Sequence, residues 1–323
     1  MDNKITKKRL HAYLSYQWVM IIIFSLVAIF ITNGVYAAIG VRPTTGQHFK
    51  VYYDNNFSST ISTKLESLVF REKTLSYDVL EEDYEVLVGD GQTDILGIRL
   101  SVQEGDIIIT DRKEPPKDAE LKQEKTIRAK YIVDKHSVYT LDGLLKDAKA
   151  YLSKFVKDGA TDLTYGNMDI SKIDANFLQR MKGDNRFRSD EQKENGKVLE
   201  RGRIEKLCED VAFFEKFMNT APEEYFFRHT KYEHLKELWG GTNYDSLIND
   251  EIAAGRENAI YGLNVGFFSG GKSQPEEYFK INGAENAKDS VMMAFNFLEY
   301  QPDLQFECLQ FMCTIIRECT GIN

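Results

Sequence analysis

The polar residues of this chain that could do chemistry stand in short groups at the ends of apolar runs. Asp54-Asn55-Asn56 follow HFKVYY, Thr110 and Asp111 follow GDIII, and Tyr261 and Asn264 lie in AIYGLNVGFF. At the tip of a buried strand such groups can hydrogen-bond a small polar solute, while Tyr53 or Tyr261 stacks on an apolar or sugar face. The same residue types also form turns after strands. Other chemistry has little foothold. The acid pairs Glu81-Glu82 and Glu223-Glu224 are adjacent rather than spaced to face each other, and GxSxG, phosphate-loop, CxxC and HExxH patterns are missing. The 5 histidines are scattered and make no ligand spacing. The residues give no ground for an enzyme, and no catalytic residue, cofactor or metal is expected.

The elements that would position these groups follow from periodicity. HFKVYY reads as a strand, and Ser58 to Phe70, with Ile61, Leu65, Leu68 and Val69 at helical spacing, reads as a helix after it. Tyr77 to Leu80 and Glu85 to Val88 are short strand candidates. Residues 94–111 admit two readings. In one, Asp94 caps a helix over Ile95 to Gln103, Gly105 ends it, and Ile107 to Ile109 is a buried parallel strand. In the other, Ile98, Leu100 and Val102 alternate as a strand and turn back at Gln103 to Asp106; Gly97 and two β-branched residues lean that way.

Further on, Leu141 to Val156 has one apolar helical face. Residues 182–206 read as a solvated helix and loop dense in both charges, and Ile204 to Met218 as an amphipathic helix. Tyr225 to Trp239 is aromatic-rich and reads as a core helix. Ala259 to Phe268 and Ser290 to Phe297 are strand regions, and Asp303 to Cys319 a closing helix after Pro302. Cys208, Cys308, Cys313 and Cys319 read mainly as small buried hydrophobes, with a bridge from Cys208 left open.

Composition bounds the class. The 323 residues are 42% hydrophobic, enough for sizeable cores, and the net charge of −9 leaves no basic surface for nucleic acid. No charged residue lies between Arg9 and Arg42. Trp18 to Val41, about 36 Å as a helix, is long enough to span a bilayer. Lys4, Lys7, Lys8 and Arg9 put the N-terminus in the cytoplasm and residues 42–323 outside. A cleaved signal peptide, with Val35-Tyr36-Ala37 before Ala38, is the competing reading; the long apolar core favours an uncleaved anchor.

The order of pieces resembles the extracytoplasmic solute-binding proteins of bacterial importers. HFKVYY, a helix, Gly105-Asp106-Ile107-Ile108-Ile109, and Tyr139-Thr140-Leu141-Asp142-Gly143-Leu144 carry the likeness, with Thr140 where that family usually has Pro. Ile260 to Val265 resembles its returning strand and Phe306 to Ile316 its late helix. The leader KKRLHAYLSYQWVMIII resembles the anchors of single-span membrane proteins of low-GC Gram-positive bacteria. The resemblance selects helix then buried strand for residues 94–111. It implies an α/β fold: a transmembrane helix, then a two-lobed periplasmic-binding-protein-like domain of type II. Residues 1–17 would be the leader, 18–41 the anchor, 42–140 and 255–323 lobe 1, and 141–254 a helix-rich lobe 2. Tyr53, Asp54, Asn55, Asn56, Thr110, Asp111, Tyr261 and Asn264 would line the cleft. The implied partners are the bilayer, a small polar solute and an ABC permease. An interaction or assembly protein that keeps the fold without a working cleft is the alternative.

Overall fold

A computed structural model describes residues 6–39, 47–54, 76–87, 95–112, 114, 127–240, 243–278, 288–297 and 306–322. The chain divides into two units, 1–42 and 43–323. The first contains one helix, α1 (Lys7–Ile39). Trp18, Phe24, Phe30 and Ile31 are among its exposed large apolar side chains. Among the described residues no helix is long and apolar enough to cross a membrane.

In the second unit, the strands β1 (His48–Tyr53), β2 (Glu81–Val86), β3 (Ile107–Asp111), β4 (Phe226–His229), β5 (Ala259–Leu263) and β6 (Ser290–Ala294) form one sheet. Its order is β2-β1-β3-β6-β5-β4. β1 pairs in parallel with both β2 and β3, whereas β6, β5 and β4 continue the sheet antiparallel from β3. The helices are α2 (Ile95–Val102), α3 (Arg128–Asp134), α4 (Leu141–Ser153), α5 (Ile170–Arg180), α6 (Asp190–Thr220), α7 (Glu233–Trp239), α8 (Asp245–Ala253), α9 (Pro275–Tyr278) and α10 (Glu307–Thr320).

The pleat sends alternate side chains into two cores. Phe49, Val51 and Tyr53 of β1, Ile107 and Ile109 of β3, and Met292 and Ala294 of β6 enter one core with apolar residues of α4, α6 and α10. Tyr52, Ile108, Val291 and Met293 enter the other, against Leu96 and Leu100 of α2 and Ala129, Ile132 and Val133 of α3. Burial on both faces explains why IIIT and SVMMA read as unbroken apolar runs.

Residues 95–111 therefore form helix then strand. Gly105 links them at φ +116, where a Cβ would overlap the Tyr52 ring. That combination of a left-handed backbone and a crowded site demands glycine. α4 starts at Thr140, whose hydroxyl accepts from the Gly143 backbone N–H at 3.0 Å, so the threonine supplies a side-chain cap that proline could not.

Two lobes are not what the chain forms. β4, inside the segment assigned to lobe 2, pairs with β5 of the segment assigned to lobe 1, and α4 and α6 pack directly on the one sheet. The boundaries 42–140, 141–254 and 255–323 dissolve because residues from all three share the same core. Tyr77–Leu80 is a turn, and the second strand starts at Glu81. Residues 190–220 are one continuous helix, opened by a Ser189/Gln192 capping box. Tyr225–Trp239 is a short turn, β4 and α7 rather than one helix. The helix expected over Ser58 to Phe70 and the cap Asp94 lie outside the described residues. All four cysteines are buried and unbridged.

Candidate functional site

The strand tips named from sequence come together in part. Asp54 directly follows β1, and its backbone N–H donates to the Ile109 carbonyl. Its carboxylate is buried, accepting the Thr110 hydroxyl at 2.9 Å and two guanidinium bonds from Arg128 of α3, at 2.8 and 3.0 Å. A bidentate arginine and a hydroxyl occupy most of the acceptor capacity of one carboxylate. Tyr53 is buried in the α4/α6/α10 core, and Tyr261 in the opposite one. Asn264 follows β5, and its amide donates to the carbonyls of Glu224 and Phe226 at 2.8 and 2.9 Å, tying β5 to the start of β4. Asp111 is half-buried and aligned with Ser290 of β6. Asn55 and Asn56 lie outside the described residues.

Beside these tips is an open groove of about 450 Å³, lined by Arg112, Glu114, Arg228, Asn264 and Asp289 among others. Antiparallel register puts it where β3 and β5 end and where β4 and β6 begin. The Arg112 guanidinium lies over the Phe267 ring at 4.3 Å, and Arg228 pairs with Glu223 at 3.1 Å. The groove thus offers both signs of charge and one amide.

At the opposite end of β4 is a second constellation that the sequence did not reveal. Asp134 closes α3, His229 closes β4, and His234 lies in the first turn of α7. All three are buried, and one ligating atom from each lies within 4.8 Å of the others. His229 Nε2 is 3.3 Å from Asp134 Oδ1, which also accepts the Tyr232 backbone N–H at 2.7 Å. His234 Nδ1 contacts Asp134 Oδ2, yet neither of those atoms, nor His234 Nε2, has a partner in hydrogen-bond geometry. Burial pushes the Asp134 carboxyl up, but the two imidazoles and the Tyr232 N–H outweigh it and hold it below the usual range.

The backbone around this cluster is unusual. His136, Tyr232 and Asn258 have φ of 58, 71 and 52. The left-handed Tyr232 turns the chain between β4 and α7, so that His229 and His234 reach the same carboxylate. The Asn258 N–H donates to Thr230 Oγ1 at 3.2 Å, which pins the same turn. Nearer to solvent, the His136 ring meets the Lys231 ammonium at Nδ1, 3.2 Å away, and the Tyr232 hydroxyl at Nε2. An ammonium can only donate, so Nδ1 accepts and Nε2 carries the proton. Burial and the Lys231 charge hold the His136 pKa below its ordinary value.

The second unit is thus a three-layer α/β body on one mixed sheet, with a polar groove at one end and a buried Asp/His/His cluster at the other. No family model, curated protein or solved structure matches the chain.

Proposed function

We propose that the chain is a membrane-anchored, extracytoplasmic binding protein for a small polar solute, and not an enzyme. The groove beside Asn264 carries the solute reading. It is open and of small-molecule volume, and Arg112, Arg228, Glu114 and Asp289 around it can address both ends of a zwitterion. The anchor reading rests on the uncharged stretch Trp18 to Val41, on the helix Lys7–Ile39 that contains most of it, and on the apolar side chains that this helix exposes. The basic leader places its start inside the cell. An importer permease in the same membrane is the partner this reading implies.

The test is a thermal-shift screen of the full chain in detergent against amino acids, short peptides and sugars. A solute that binds raises the midpoint, increasingly as its concentration exceeds its Kd, and Arg112→Ala abolishes the rise. If no solute shifts the midpoint, the second reading takes its place, an interaction or assembly protein without a working cleft. One observation favours that reading: Asp54 and Thr110, at the tips of the central parallel strands, are already bonded to each other, and Asp54 also to Arg128.

A further inference from the structure

We propose that Asp134, His229 and His234 form a binding site for a first-row divalent transition-metal ion. Two imidazoles and a carboxylate are the donor set that holds Zn²⁺ in three-ligand sites and Fe²⁺ in two-histidine, one-carboxylate sites. In both, at least one coordination position is left for a non-protein ligand. One donor atom from each side chain lies within 4.8 Å of the other two. Ligands about 2.1 Å from a tetrahedral ion stand about 3.4 Å apart; His229 Nε2 and Asp134 Oδ1 are 3.3 Å apart, and the closer contact of His234 Nδ1 with Asp134 Oδ2 opens when an ion enters.

The leftover polar atoms point the same way. His234 is 6% exposed, and both its nitrogens lack a hydrogen-bond partner, as does Asp134 Oδ2, which Nδ1 touches. Buried polar atoms without partners are costly to keep. Three buried side chains whose donor atoms converge in this way are an arrangement that a cation satisfies. The surroundings supply the support that metal sites use. The Tyr232 N–H orients the carboxylate, and the left-handed turn at Tyr232, pinned through Asn258 and Thr230, fixes the two histidines relative to it.

Such a site is distinct from the groove, which lies at the other end of β4, so either can fail without the other. The chelator-treated, tag-free full chain is titrated with Zn²⁺ and Co²⁺ by calorimetry and visible absorption. One equivalent of Zn²⁺ is expected, along with d–d bands of Co²⁺ in a low-symmetry nitrogen and oxygen field. Asp134→Ala or His234→Ala weakens binding at least a hundredfold, and His48→Gln leaves it unchanged. Should those variants not fold, X-ray absorption at the zinc edge of the wild-type protein still decides. Two imidazole nitrogens with oxygen support the site, whereas sulfur ligation, or no stoichiometric uptake of either ion, overturns it.

Discussion

Two sets of buried charge, one in each helical layer, solve the same electrostatic problem in opposite ways. Between α4, α5 and α6, Glu200 accepts from Arg180 at 2.8 Å, from Arg203 at 2.9 Å, and from the Tyr77 hydroxyl at 3.0 Å. Asp78 accepts from Arg186 at 2.6 Å, from Arg180, and from Gln47 at 3.1 Å, and Arg203 also reaches the Tyr151 hydroxyl. Every one of these carboxylates meets a guanidinium, a group that does not lose its charge. Burial pushes Glu200 up, but Arg203 and Arg180 outweigh it and hold its carboxyl below the usual range. The Asp134 cluster uses imidazoles instead, keeps polar atoms without partners, and has left-handed residues beside it. The first set pairs Asp78 and Glu200 with fixed charges and is structural. The second is open and strained, which is how sites that take a ligand are built.

The largest expected effect separates the two. Glu200→Gln keeps the shape but strips Arg203, itself 2% exposed in its side chain, of its carboxylate. Removing one partner of a buried ionic group costs about 3–5 kcal/mol, which urea denaturation of the chain will read. In the same assay with chelator present, His234→Leu is expected to cost no more than about 1 kcal/mol. It deletes two buried nitrogens without partners, and Asp134 keeps His229 and the Tyr232 N–H. Equal losses from both variants would erase the distinction.

Next in size is Gly196→Ala. Gly196 lies on α6 where α5 comes close, and an added Cβ would overlap the Phe177 ring and stand 2.8 Å from Phe187. Arg180, which bridges Asp78 and Glu200, is on the same α5. Overpacking costs about 1–3 kcal/mol, and the loss should be smaller in a background where Phe187 is alanine, as a double-mutant cycle would show.

How much of this was legible in the sequence depended on range. β3, β5 and β6 were readable because both faces of the sheet are covered and the runs are largely apolar without alternation, and β1 because Phe49 and Val51 alternate with polar residues before Tyr52 and Tyr53. Residues 94–111 were undecided locally, since Gly97 and the β-branched Ile98 and Val102 oppose a helix. Tertiary burial of Leu96 and Leu100 against the sheet settles α2. The aromatic density of Tyr225 to Trp239 looked helical, yet Phe226 and Phe227 serve opposite cores across one strand. The two lobes came from resemblance, and sheet pairing alone could correct them. Asp134 lies 95 residues from His229, and Arg128 lies 74 from Asp54. No spacing rule spans such gaps, so the cluster and the pairing of the strand-tip carboxylate both escaped the sequence reading.

Acid sharpens the comparison further. The folded pKa of Glu200 is below its unfolded value, so its stabilisation is complete above about pH 4.5 and disappears as pH falls through the folded value. His136 acts in a higher window. Its folded pKa is also lowered, from 6.5, so below that pH the unfolded chain takes up the proton first and stability falls as pH drops. Midpoints measured from pH 7 to 5 for the wild type and His136→Gln should diverge, with the variant falling less steeply. Glu200→Gln should change the slope only below that window. A wild type and His136→Gln that run parallel would mean that His136 titrates as it does in the unfolded chain.

The smallest effect tests the strain itself. Asn258 is exposed, holds φ at 52, and takes part in the turn through its backbone, donating to Thr230 and accepting from Arg228 at 3.0 Å. Glycine adopts that conformation without a Cβ penalty but gives the unfolded chain more freedom. The two terms nearly cancel, and the relief wins where the backbone is held left-handed by its neighbours. Asn258→Gly is expected to raise stability by about 0.5 kcal/mol and to leave metal uptake unaltered, because both backbone bonds survive. A loss of 1 kcal/mol or more, on the scale of a broken hydrogen bond, would show that the asparagine side chain and not the backbone holds this turn. The contrast between a strained cluster and a relaxed network would then rest on His136 and Tyr232 alone.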